Sequence, residues 1–132
     1  MLMSERRIGR PLLAVTGALE AATGLGLLLA PSMIVEFLLG AALGTPAGAT
    51  LGRVTGIALL AIGVACWLAR DDAASRAGKG LVTALLLYNI GVVAVLAMAG
   101  VGLRSVGLAF WPVVLAHAGL TGWCVVCLAM RA

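Results

Sequence analysis

The sequence has little of what a water-soluble domain shows to its solvent. Only 11% of its 132 residues are charged, against about 25% in an average soluble domain. It has a single lysine, Lys79, and a single histidine, His117. The acids number 5, namely Glu5, Glu20, Glu36, Asp71 and Asp72. A chain this poor in charge excludes a disordered acidic or basic tail. The 9 Lys and Arg give a net charge of +4, yet they stand singly or in pairs between apolar runs. They form no stripe that tracks phosphates, which excludes a nucleic-acid surface. The 3 cysteines (Cys66, Cys124, Cys127) are too few and too apolar in setting for a secreted disulfide framework. One histidine excludes haem held by a histidine pair, a metal site on Cys124 and Cys127 with Cys66 would lack a fourth ligand, and no P-loop, dinucleotide glycine motif or Ser-His-Asp set occurs. No catalytic apparatus is legible.

What the chain does have is apolar length: 63% of it is hydrophobic, and the mean hydropathy is +1.17. A membrane-crossing helix needs about 20 mostly apolar residues. Four stretches qualify, at about 12–30, 51–69, 81–101 and 106–130. The expected fold is all-α: a single membrane domain over residues 1–132, built as a four-helix bundle. Arg6, Arg7 and Arg10 before the first apolar run resemble a signal peptide. Glu20 interrupts that run and no small-x-small site follows, so the first span is read as uncleaved. Residues 70–80 read as a charged linker with Gly78 and Gly80 as breakers. The stretch Ser32–Leu43, apolar but broken by Glu36 and Gly40, reads as a short helix lying in the interface.

Orientation follows from Lys and Arg near the span ends. An N-terminus on the cytoplasmic side puts Arg6, Arg7, Arg10, Arg70, Arg76, Lys79 and Arg131 inside and only Arg53 and Arg104 outside. Both termini are therefore expected in the cytoplasm. Arg53 and Glu36 form a charged outer rim, and Trp67 and Trp111 fall near opposite interfaces.

Small residues recur at helical spacing. Gly52, Gly56 and Gly63 in the second span, Gly17, Ala21 and Gly24 in the first, and Gly119 and Gly122 in the fourth mark grooves where backbones approach closely. Such grooves serve packing inside one bundle or contact between copies, and the spacing leaves both open. Pro46 argues against one continuous helix through the glycines at 40 to 56.

Polar residues inside the spans are more telling, because a charged group at the bilayer centre costs about 2.5–3.5 kcal/mol on insertion scales. Glu20, Tyr88, Asn89 and His117 all fall near mid-depth, on three different spans. They are the candidate ligand- or proton-handling residues, with interhelical hydrogen bonding that only sets register as the alternative. A direct Glu20–His117 bond is one arrangement, and a water or Tyr88 bridging the two is another. Burial in hydrocarbon predicts an uncharged Glu20, with an ion pair to a protonated His117 as the competing arrangement. Cys124-Val-Val-Cys127 shares its spacing with the C-x-x-C of the vitamin K epoxide reductase family. Here the pair ends its helix instead of starting it, so the thiols are expected to be reduced packing residues.

The first half of the chain resembles the DoxX-like group of small four-helix bacterial inner-membrane proteins. Gly17 and Gly24, Pro31, Leu39-Gly40, and Arg53-Val-Thr-Gly56 with Gly63 and Trp67 carry the likeness, over about residues 10–70. It implies a multi-pass inner-membrane fold and, through members linked to quinone-coupled sulfur oxidation, a quinone among the expected ligands. No cofactor-binding residue carries over. The chain is also similar to small multidrug transporters in its length, its four spans and the lone acid of Gly17-Ala18-Leu19-Glu20. It departs from them in its charged linker, its Lys/Arg bias, Arg53 and His117. Three roles are thus expected: a module binding an apolar ligand, quinone, lipid or partner subunit; a proton-coupled exporter using Glu20; or a structural subunit or homo-oligomer.

Overall fold

The computed structural model describes residues 2–103 and 105–130, with side chains from Ile8 onward. Arg104 and Arg131, counted in the charge bias, lie outside the described residues, as do the side chains of Arg6 and Arg7. The described residues form five α-helices and a short 3-10 turn, with no strand. Four of the helices are long and apolar enough to cross a membrane. The chain is an all-α, four-span membrane bundle.

α1 runs Leu2–Leu29 and stops where Pro31, lacking an N–H, bars the residue before it from helical geometry. Pro31 instead opens α2, Pro31–Leu39. Gly40 closes α2 at φ 76°, a left-handed conformation that glycine adopts without penalty. α2 is the short helix expected between the first two spans, and its Met33 and Phe37 are exposed.

α3 runs Pro46–Ala69, so the second span begins earlier than about residue 51. Pro46 starts this helix instead of breaking one, because a first-turn N–H has no partner to lose. The Thr45 side chain caps the turn by accepting from the Gly48 N–H at 3.0 Å. After a 3-10 turn, Arg70–Asp72, α4 runs Arg76–Gly102. The expected breakers Gly78 and Gly80 therefore lie inside a helix. Ser75 caps its start, accepting from the Gly78 N–H at 3.0 Å. Gly78 is there for closeness: a Cβ would sit 2.5 Å from the carbonyl oxygens of Asp72 and Ala73.

α5 runs Phe110–Ala129, shorter than the 106–130 expected. Residues before it are occupied otherwise. The N–H groups of Gly107 and Ala109 donate to the Leu38 and Phe37 carbonyls at 3.2 and 3.0 Å. Those carbonyls end α2 and have no partner within it, so the loop fastens α2 to the start of α5.

Two antiparallel pairs make up the bundle, α1 with α3 and α4 with α5. The first is a backbone contact. A Cβ on Gly24 would lie 2.6 Å from the Gly56 oxygen, and one on Gly63 would lie 2.8 Å from the Gly17 oxygen. Only glycine permits this approach. The pairs meet around one buried cluster (Leu12, Leu13, Cys66, Ala73, Val82, Leu85, Leu120, Cys124, Cys127) near the end that carries the α1 N-terminus. At that end Arg10 pairs with Asp71 at 2.8 Å on the surface. The outward faces are apolar: Leu68, Met98 and Leu108 are exposed, which suits contact with lipid.

Candidate functional site

The predicted polar level is a connected network at the outer edge of this cluster. Tyr88 and Asn89 are consecutive on α4, so their side chains diverge by about 100° around the helix. Tyr88 turns to α1, where its hydroxyl donates to Glu20 Oε2 at 3.0 Å. Asn89 turns to α5, where its Oδ1 lies 2.7 Å from His117 Nδ1. Its amide nitrogen donates to the Leu85 carbonyl at 2.7 Å. The Tyr88 and His117 rings meet edge to face, with centroids 5.7 Å apart and planes at 78°. Glu20 does not touch His117 directly; Tyr88 is the bridge between them.

Glu20 and Asn89 are buried, at 4% and 0% exposure, whereas Tyr88 and His117 are half-buried. The network therefore has a sealed core and a partly open flank. Neither Glu20 Oε1 nor His117 Nε2 has a hydrogen-bond partner among the described residues. A carboxyl, a phenol and an imidazole linked in this way can bind a polar head or pass a proton. They offer no nucleophile–base pair.

Thr16 is a buried polar residue that the sequence reading did not single out. It lies one turn before Glu20 on the same helical face. Its buried hydroxyl has no hydrogen-bond partner among the described residues. Thr50, Thr55, Thr83 and Thr121 each donate to the carbonyl four residues back. The i, i+4 spacing to Glu20 was the available signal.

Other predicted residues sit away from this level. Glu36 and Arg53 are both exposed towards the α2 end, and no ion pair joins them among the described residues. Gly17, Gly24, Gly56 and Gly63 line the α1–α3 contact, and a Cβ on Gly52 would lie 2.9 Å from Pro31 Cβ. Gly119 and Gly122 serve no packing inside the bundle among the described residues, since a Cβ at either would meet nothing within 4 Å; the reading as a contact between copies stays open. The three cysteines are buried, and no disulfide joins them among the described residues. Among the described residues, no group of three or more His, Cys, Asp or Glu is arranged to hold a metal ion.

No protein-family model, curated protein or solved structure matches the chain.

Proposed function

We propose that this multi-pass protein resides in a bacterial inner membrane and uses the seam between its helix pairs to bind a lipid-soluble ligand, of the apolar, quinone or lipid kind. The Tyr88–Glu20 bond carries the reading: it places a buried acid in the membrane where the two pairs meet, beside a half-buried histidine. Structural polar residues in membranes are normally satisfied by neighbouring helices, whereas Glu20 Oε1, His117 Nε2 and the buried hydroxyl of nearby Thr16 have no hydrogen-bond partner among the described residues. The resemblance to DoxX-like proteins supports the same location and the quinone class.

A second reading, a proton-coupled exporter, draws on Glu20 as the acid buried within a span. Purification in mild detergent followed by mass spectrometry separates the readings. A binding module retains a stoichiometric small molecule that is lost in Glu20→Gln. An exporter instead drives proton flux that the same variant abolishes. A structural subunit retains a partner protein, and that result overturns the binding reading.

A further inference from the structure

We infer that Asn89 is a positioning residue that locks His117 as the Nδ1–H tautomer, and that the bare Nε2 selects a lipid-soluble molecule with a hydroxyl head. The ligand class rests on the binding reading above; the tautomer does not. The Asn89 amide nitrogen donates to the Leu85 carbonyl at 2.7 Å. Flipping the amide would set its oxygen against that carbonyl, two acceptors face to face. Its Oδ1 must therefore be the atom 2.7 Å from His117 Nδ1, and an acceptor there requires a proton on Nδ1. A neutral imidazole carries one N–H, which leaves Nε2 as a lone pair. A doubly protonated ring would put a charge in the membrane, and among the described residues no carboxylate bonds to it. Glu20 instead takes the Tyr88 hydroxyl.

The Tyr88 ring packed edge to face, together with Asn89, fixes the direction in which Nε2 points. Nε2 can only accept, so an O–H can bind it. A ketone, ether or ester would oppose lone pair to lone pair. Among the ligands named above, this selects a hydroxyl-bearing form over a fully oxidised quinone.

His117 is the sole histidine, so nitrogen-15 labelling of histidine gives one imidazole, without assignment. The test uses the full chain in bilayers, probed with dodecanol, its methyl ether and the ketone of equal length. The expected spectrum has a protonated Nδ1 and a bare Nε2. Dodecanol moves the Nε2 resonance saturably, and the ether and ketone leave it in place. In Asn89→Leu the Nε2–H tautomer gains population. A wild-type ring protonated at Nε2 alone overturns the tautomer lock. Equal shifts from all three probes overturn the hydroxyl class but leave binding intact. No saturable shift from any probe, with Nδ1–H retained, overturns the ligand reading while the lock stands.

Discussion

Tyr88 and Glu20 are 68 positions apart, and a 3.0 Å hydrogen bond between them joins α4 to α1. The backbones of these two helices are not packed together as those of α1 and α3 are. A long phenol therefore spans a gap that small residues close elsewhere, and the polar level becomes a property of the seam between the pairs.

The glycine contacts predict contrasting variants. Gly56→Leu drives a side chain into the Gly24 and Leu28 backbone, and overpacking a tight contact costs about 1–3 kcal/mol or more. Gly119→Leu meets nothing. Thermal unfolding in detergent should show a large loss for the first and little change for the second. Equal effects would contradict the α1–α3 contact.

How much of this was legible divides by range. Span number and the small-residue faces follow from local composition, so Gly17, Gly24, Gly56 and Gly63 were readable. Which helix a glycine meets is tertiary information, and for that reason the spacing did not show that Gly119 meets no other helix of its own bundle among the described residues. Gly78 shows the reverse: a local breaker rule gave way to the Ser75 cap and to close packing on Asp72 and Ala73. Mid-depth placed Glu20, Tyr88, Asn89 and His117 at one level. Their pairing was not readable, because it depends on how each helix is rotated. The clasp of Gly107 and Ala109 on α2, and the Arg10–Asp71 pair, left no trace in spacing.

Thr16→Val should raise the melting temperature. An unsatisfied buried hydroxyl costs about 1–3 kcal/mol, and valine keeps nearly the same shape. A fall in melting temperature would show that the hydroxyl has a bound partner.

Cys66, Cys124 and Cys127 are expected to remain thiols, because they are buried and no disulfide joins them among the described residues. Alkylation of the denatured, unreduced protein should add three labels by intact mass. One label, with two sulfurs protected, would reveal a disulfide.

The α1 N-terminus, the α3 C-terminus and the start of α4 share one end of the bundle, with Arg10, Arg70, Arg76 and Lys79. By the Lys/Arg bias that end is expected to face the cytoplasm. C-terminal reporter fusions should be active only inside the cell. Activity only outside would invert the topology.

The central claim is a neutral Glu20 bonded to Tyr88 across the seam, and infrared difference spectroscopy of the protein in bilayers tests it most directly. A protonated-carboxyl stretch should be present at neutral pH, vanish in Glu20→Gln, and shift in Tyr88→Phe as its hydrogen bond is lost. Carboxylate bands alone, or a carboxyl stretch indifferent to Tyr88→Phe, would contradict the account.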